Sequence, residues 1–153
     1  MKELPHTHSC FVCGETNPLG LKLRFHQIDD TVQVKFTPGE HHIGFKGVTH
    51  GGLLATVLDE IMVWACAVRT RRFAYCAEMT VRYLHPATPG TELTAIGRLV
   101  EDRRGRLFHA SGELVDSNGA RLAESTGKYL PLKDSDTKLM VEDFVGDVTP
   151  LFG

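Results

Sequence analysis

Two acidic residues stand in the middle of the most apolar stretch of the sequence, between Leu53 and Val68. The only polar residues of this stretch are Asp59, Glu60 and Thr56, which lies about one turn earlier on the same face. Apolar residues cover every side of the predicted helix. Such a helix is expected to be buried. Because a buried carboxylate is costly unless it is paired or functional, we take Asp59 and Glu60 as the candidate catalytic residues. The alternative is a structural acid, paired across a dimer or with the Thr56 hydroxyl.

The predicted helix opens with His50-Gly51-Gly52, at the end of a Gly- and His-rich loop. Glycine lets another group approach the backbone closely, and a helix N-terminus presents unpaired N–H groups with a partial positive charge. A carbonyl oxygen that gains negative charge during a reaction would be stabilised there. Position 50 and Asp59 are about half a turn out of phase. We therefore expect two antiparallel helices of a twofold dimer to build each site jointly.

Length and composition predict one soluble globular domain: the chain has 153 residues, of which 42% are hydrophobic and 24% are charged. The formal net charge of −2 gives no reason to expect nucleic acid or an anionic membrane as a partner. No signal pattern follows Met1, and an apolar helix of about 16 residues with two acids is not expected to span a membrane. The four cysteines, one of them inside that helix, favour a reducing, cytoplasmic compartment.

The N-terminal residues 1–20 lack periodicity and are predicted to form an irregular arm. His6, His8, Cys10 and Cys13 have the side chains that bind zinc. However, their spacing is not a standard one, and no second cysteine pair follows. We therefore predict no metal and favour packing of the arm as their role. A redox role for the CxxC pair is weaker still, because no βαβ pattern surrounds it.

The remaining pattern predicts a long antiparallel sheet wrapped around the one buried helix, an α+β fold that fills residues 1–153 as a single domain with a C-terminal tail at 132–153. Alternating residues predict a hairpin of two strands before the helix, and four longer strands after it. An Asn-Gly pair at Asn118-Gly119 is a strong hairpin signal. The predicted strands are 21–27, 32–36, 75–84, 91–102, 105–116 and 119–130.

Taken together, these features resemble the hotdog fold, and most closely the phenylacetate-degradation (PaaI-type) acyl-CoA thioesterases. The resemblance covers nearly the whole chain. HGG alone would be a weak signal, but HGG with an acid nine residues after the histidine, inside this strand order, is fairly specific. The segments that carry the resemblance are CFVCG and NPLGLKLRF (10–14 and 17–25), HHIGFKGVTHGGLLATVLDE (41–60), AEMTVRYLHPATPG (77–90) and the terminal strands.

The resemblance implies a role for each matching position. Asp59 would act as general base toward water or as nucleophile on the thioester. The Gly51 N–H would polarise the thioester carbonyl from the partner subunit, and His50 would hold the helix start. The hydroxyl residue that assists water in some relatives falls on Cys76, a poorer hydrogen-bond partner. For a loop asparagine that is absent here, His42 is the candidate substitute. Gly52 and Thr56 are further candidates for substrate contacts.

The function that follows is hydrolysis of an acyl-CoA thioester to a free acid and CoA, by a homodimer or homotetramer. Coenzyme A enters as part of the substrate, and no other cofactor is expected. A non-catalytic hotdog module that binds acyl-CoA as a sensor or scaffold is the main alternative, since Cys76 departs from the family pattern. An enoyl-CoA hydratase on the same fold resembles the chain less.

Overall fold

One seven-stranded antiparallel sheet and one long helix form most of the computed structural model, which describes residues 1–152. The predicted domain and its tail both end on Gly153, which lies outside the described residues. The sheet order is β1-β3-β4-β6-β7-β8-β5. Its members are β1 (Lys2–Glu3), β3 (His26–Ile28), β4 (Thr31–Phe36), β5 (Ala74–Tyr83), β6 (Leu93–Arg103), β7 (Leu107–Asp116) and β8 (Arg121–Pro131).

The central helix α1 (Gly51–Thr70) follows β4 and packs against the sheet, which confirms the predicted hotdog fold. The strands β6, β7 and β8 form a meander, and Gly105 and Gly119 have positive φ in its two tight turns. The long strand β5 follows the helix but pairs only with β8, so it forms one edge of the sheet.

Glycines in the sheet let the helix approach it closely. A Cβ atom on Gly97 in β6 would lie 2.5 Å from the Ile61 carbonyl oxygen, closer than any real contact of that kind. On the next strand, a Cβ on Gly112 would lie 3.2 Å from the Leu58 side chain. Leu58 and Ile61 are fully buried at this contact. The sequence therefore supplies small residues where the helix presses hardest on the sheet.

Helix α1 is longer than the predicted 16 residues, with 20 residues from Gly51 to Thr70. By length and composition alone it is apolar enough to cross a membrane, with a mean hydropathy of 1.6 over 18 residues. Its position explains that composition, because nine of its residues are buried in the core. Arg71 ends the helix in the left-handed conformation, with φ of 60°, and donates its N–H to the Ala67 carbonyl.

The first predicted strand, at 21–27, is largely wrong, since only residues 26–28 belong to the sheet. The Leu21 and Leu23 N–H groups instead donate to the carbonyls of Phe11 and Val12, so this segment is bonded to the N-terminal arm. The alternating pattern was correct about which side chains face inward, because Leu23 and Phe25 are buried. The other strands begin and end within three residues of the predicted bounds.

Both ends of the chain pack together beside the helix. The short strand β2 (His6–Thr7) pairs with β9 (Phe144–Val145), and helix α2 (Asp134–Val141) precedes β9. Phe144 contacts Trp64 of α1 edge-on, with ring centroids 6.1 Å apart. Aromatic packing of this kind adds to the stabilisation that burial alone provides. The arm is thus tied to the C-terminal segment as well as to the helix.

Candidate active site

The Asp59 carboxylate is held by a buried tyrosine of the sheet. The Tyr129 hydroxyl donates to Asp59 Oδ1 at 2.8 Å and lies 3.3 Å from the Asp59 carbonyl oxygen. Tyr129 is fully buried in β8. Its ring leans over Gly127, where a Cβ atom would lie 2.5 Å from the ring. Burial raises the pKa of Tyr129 far above its usual range, so the hydroxyl remains a donor.

Cys76, on the edge strand β5, is the second group at this carboxylate. Burial raises the pKa of Asp59 above its ordinary value, while hydrogen bonds from Tyr129 and Cys76 act in the opposite direction. The pKa of the Cys76 thiol is also raised, first by burial and then by the negative charge of Asp59. The result is a half-buried carboxylate with one hydrogen bond from Tyr129 and a neutral thiol nearby, which fits a positioned general base or nucleophile.

Glu60 does not share this environment. Its Oε1 atom lies 3.6 Å from the Cys10 sulfur, so it faces the N-terminal arm. Burial, together with the neighbouring Cys10, raises the pKa of Glu60 to about 8. The alternative pairing of Asp59 with Thr56 is also wrong, because the Thr56 hydroxyl donates to the Gly52 carbonyl at 2.9 Å. The two helix acids therefore have separate partners and separate surroundings.

The helix start is organised by His50, which caps it. His50 Nδ1 accepts the Gly52 N–H at 2.8 Å, so that N–H is already used. The Gly51 N–H has no acceptor among residues 1–152. The Tyr83 hydroxyl donates to the Gly51 carbonyl at 2.6 Å and lies against its α-carbon. Gly51 therefore presents one free donor at the positive end of the helix.

His42 supports the same region from the preceding loop. Its carbonyl accepts the His50 N–H at 2.8 Å, and its Nδ1 atom accepts the Gly39 N–H at 2.9 Å. The ring of His42 is thereby committed to a short 3-10 turn at Glu40–His42. In this arrangement His42 orders the loop that leads to the helix start.

An apolar cleft of about 710 Å³ lies at this end of the helix. Its walls include Ile43 and Phe45 of the loop, Leu54 of the helix and Tyr83 of the edge strand. Phe45 is 83% exposed in the single chain, although it is a large apolar residue. Asp59 does not belong to the walls of this cleft. It lies about 12 Å further along the helix axis than Gly51, because each residue adds about 1.5 Å.

The edge strand β5 joins these two halves of the site. Near its beginning Cys76 lies beside Asp59, and at its end Tyr83 binds the helix start. Within one chain, the free N–H and the carboxylate thus lie at opposite ends of one exposed strand. Tyr83 and Tyr75 on this strand are both about half exposed.

The region that holds His50, Gly51, Asp59, Cys76 and Tyr83 matches a known protein family. Residues 46–123, about half of the chain, match the sequence model of the family described as "Thioesterase superfamily". The chain belongs to the thioesterase superfamily. The matched region contains the HGG segment, the central helix and the edge strand. A search of curated proteins found no match.

Solved structures of other proteins share the fold of this thioesterase superfamily chain. The PaaI protein of the Escherichia coli phenylacetic acid degradation operon is 21% identical, with a TM-score of 0.68 over 74% of this chain and 81% of its own. A Streptococcus mutans protein bound to acetyl CoA is 20% identical, with a TM-score of 0.66 over 72% and 88%. Zebra fish thioesterase superfamily member 2 is 20% identical, with a TM-score of 0.67 over 77% and 89%.

Tyr129 and Tyr83 are the site residues that the sequence analysis missed in this superfamily member. Tyr129 sits on the inward face of a strand whose other inward residues are small or apolar. A phenol there needs a hydrogen-bond partner, and the only polar helix positions facing the core are the two acids. The Gly127-x-Tyr129 spacing was the available signal, because glycine two residues earlier on the same face leaves room for a leaning ring.

Proposed function

We propose that this protein hydrolyses acyl-CoA thioesters to a free acid and CoA. The observation that carries the proposal is the half-buried Asp59 carboxylate, which lies in the superfamily-matched region and accepts a hydrogen bond of 2.8 Å from Tyr129 of the last sheet strand. Asp59 lies on the core helix, is oriented by a buried hydroxyl and has no cationic partner among residues 1–152. Such an acid is typical of a reacting group rather than of a structural pair.

In the proposed reaction, Asp59 either takes a proton from water as water attacks the thioester carbon, or attacks that carbon itself. In both routes the carbon–sulfur bond then breaks and CoA leaves as a thiolate that takes up a proton. In the second route water hydrolyses the resulting anhydride between the acyl group and Asp59, which restores the carboxylate. The Gly51 N–H stabilises the negative charge that develops on the carbonyl oxygen. Because His50 occupies the Gly52 N–H, Gly52 shapes the approach to the backbone without donating. General-base assistance is typically worth about 10²–10⁴ in rate, and one oxyanion donor contributes roughly 10²–10³.

A second copy of the chain completes the site in this proposal. The outer edge of β5 carries unpaired backbone groups. If two β5 strands pair antiparallel about a twofold axis near their middle, the Cys76 end of one lies beside the Tyr83 end of the other. This pairing brings Asp59 of one protomer toward the Gly51 N–H of its partner. The exposed apolar side chains along this edge would then be covered.

The choice of coenzyme A thioesters is supported by the superfamily and by the Streptococcus mutans structure, which contains acetyl CoA. The apolar walls of the cleft suit an acyl chain better than a charged group. We propose that the reaction needs no cofactor beyond the coenzyme A of the substrate, and that the protein acts in the cytoplasm.

The direct test is a thiol-release assay with purified protein and a panel of acyl-CoAs that varies in length and in aromatic character. We expect Asp59→Asn to lower kcat by at least about two orders of magnitude, with the fold and the oligomeric state unchanged. The matched control is Asp136→Asn, which makes the same change at an exposed position of α2. Turnover by Asp59→Asn at the wild-type rate would contradict the assignment.

A mixing experiment tests the shared site. Gly51→Pro removes the N–H at a helix position that tolerates proline, and Gly51→Ala is the control that keeps it. When Asp59→Asn and Gly51→Pro protomers are unfolded together and reassembled, each hetero-pair contains one intact site, so about a quarter of wild-type activity returns. If both groups acted within one chain, the mixture would remain as inactive as the parents.

The same panel separates catalysis from binding. A sensor or scaffold would bind acyl-CoA tightly without releasing thiol, and the thiol in place of a hydroxyl at Cys76 is the feature that favours this second candidate. Affinity without turnover across the whole panel would replace the hydrolase proposal with that one.

A further inference from the structure

Three metal-ligating side chains meet where the N-terminal arm crosses helix α1. The sulfur atoms of Cys10 and Cys13 and a carboxylate oxygen of Glu60 all lie within 4.8 Å of one another. In a tetrahedral zinc site, bonds of about 2.3 Å to sulfur and about 2.1 Å to oxygen hold the ligand atoms roughly 3.5 to 3.8 Å apart. Movements of about 1 Å would therefore be enough for these atoms to surround one ion.

The two sulfurs are held by a tight turn rather than by flexible side chains alone. The Val12 N–H donates to Cys10 Sγ at 3.3 Å, and the Gly14 N–H donates to the Cys10 carbonyl at 2.8 Å. Only glycine fits at position 14, because a Cβ there would lie 2.3 Å from that carbonyl oxygen. The Thr7 hydroxyl accepts the Cys10 N–H and lies 3.5 Å from Cys13 Sγ. Backbone and hydroxyl donors to sulfur stabilise a thiolate and orient it.

The third ligand, Glu60, is a partly buried acid with no compensating charge among the described residues. Among the described residues 1–152, no Lys, Arg or His nitrogen forms an ion pair with it, and the Cys10 sulfur lies 3.6 Å from its Oε1 atom. Buried carboxylates in proteins are normally paired with a cation or coordinate a metal. Here the neighbours of the carboxylate are two thiols, which become negative when they lose their protons. A divalent cation is the partner that would satisfy all three.

The nearby histidines do not join this group. His6 Nε2 and His8 Nδ1 instead lie 2.8 Å and 3.4 Å from the two carboxylate oxygens of Glu15. The sequence predicted no metal because the arm alone lacks a standard ligand spacing. The missing donor comes from the helix, 47 positions after Cys13.

We propose that Cys10, Cys13 and Glu60 bind one zinc-class divalent ion. Two thiolates and one carboxylate suit Zn²⁺ better than Mg²⁺ or Ca²⁺, which prefer oxygen ligands. As each Zn–S bond forms, the thiol releases its proton to solvent. A water molecule fills the fourth position. The ion ties the N-terminal arm to α1. Glu60, which binds it, lies on a helix face about 100° away from that of Asp59, so the ion has no part in the hydrolysis proposed above.

The test uses the full-length protein, stripped with a chelator under reducing conditions and then loaded with Zn²⁺ or Co²⁺. We expect one equivalent of metal per chain, and for Co²⁺ a thiolate-to-metal charge-transfer absorption. Cys10→Ser, Cys13→Ser and Glu60→Gln should each weaken metal affinity by at least about tenfold. The matched controls are Cys66→Ala, at a buried thiol elsewhere on the helix, and Glu15→Gln, and both should bind metal as the wild type does.

Protein that retains no metal and shows no cobalt–thiolate absorption would overturn the proposal. So would a disulfide between Cys10 and Cys13 in protein purified from a reducing extract, because a disulfide cannot supply these ligands. If a cysteine variant does not fold, Glu60→Gln and the rise in wild-type Tm with added Zn²⁺ decide the matter. Every readout is metal binding, so the result is independent of whether the protein hydrolyses thioesters.

Discussion

Removal of one buried hydroxyl, by Tyr129→Phe, should reduce catalysis without reshaping the core. The substitution deletes only the oxygen that donates to Asp59 at 2.8 Å and leaves a ring of the same shape over Gly127. A hydrogen bond to a charged group is worth about 1.5–3 kcal/mol. If that amount is lost from the oriented carboxylate in the transition state, kcat should fall about tenfold to a hundredfold, with little change in KM.

Two further readouts separate a positioning role from a structural one. The hydrogen bond from Tyr129 favours the charged form of Asp59 and lowers its pKa. Its loss should raise that pKa, so the acidic limb of the kcat/KM profile should move to higher pH. The half-buried carboxylate also loses a partner, so Tm should drop by roughly 3 to 12 °C for a chain of this size.

The measurements are thiol release as a function of pH and thermal unfolding, with Tyr75→Phe as the matched control. Tyr75 is 54% exposed in the single chain and forms no side-chain hydrogen bond among residues 1–152, so Tyr75→Phe removes a phenol hydroxyl from the β5 edge without removing a donor to Asp59. A Tyr129→Phe enzyme with wild-type kcat and an unmoved acidic limb would refute the view that this hydroxyl orients the reacting carboxylate. A loss of Tm alone would assign the contact to stability.

Two other substitutions address the packing and the second donor. Gly97→Ala places a Cβ 2.5 Å from the Ile61 carbonyl oxygen and should lower the free energy of unfolding by about 1–3 kcal/mol, measured as a lower Tm. Gly112→Ala should lower it less, because its nearest contact is a serine side chain that can rotate. Equal losses of stability in the two variants would contradict this argument. Cys76→Ser should keep or raise kcat because a hydroxyl is a better hydrogen-bond donor than a thiol, whereas Cys76→Ala should lower kcat. Equal kcat values for the two variants would exclude Cys76 from the site.

The sequence predicted the large features of the fold because those depend on local patterns. The apolar run from 53 to 68 indicated the buried helix, and the Asn118-Gly119 pair indicated a hairpin, which the structure contains. The strand at 21–27 failed because its alternating pattern reports burial. Leu23 and Phe25 are buried, but the backbone of this segment is hydrogen-bonded to the N-terminal arm rather than within the sheet. Periodicity identifies the face that is covered, but it does not identify the covering segment.

The candidate site was predictable only as far as single elements allow. The composition of the central helix indicated an acid in its middle and a glycine-lined start, and the resemblance to the thioesterases selected Asp59 and Gly51 among these residues. The hydroxyl of Tyr129 belongs to a strand 70 positions later, and its contact with Asp59 exists only after the sheet has closed around the helix. The same reason hid the link between Glu60 and Cys10, which lie 50 positions apart. Long-range partners of buried polar groups cannot be read from spacing.

The sheet order also has a consequence for synthesis of the chain. The end of β5 lies 38 positions before the start of β8, the only strand that pairs with it. At about 5–20 residues per second on the ribosome, roughly 2 to 8 s pass between the two. During that interval the most apolar helix of the protein has emerged while the strands that will cover it are still being made. The core around the helix therefore closes only after the C-terminal third of the chain has been made, and until then the apolar helix lacks most of its cover.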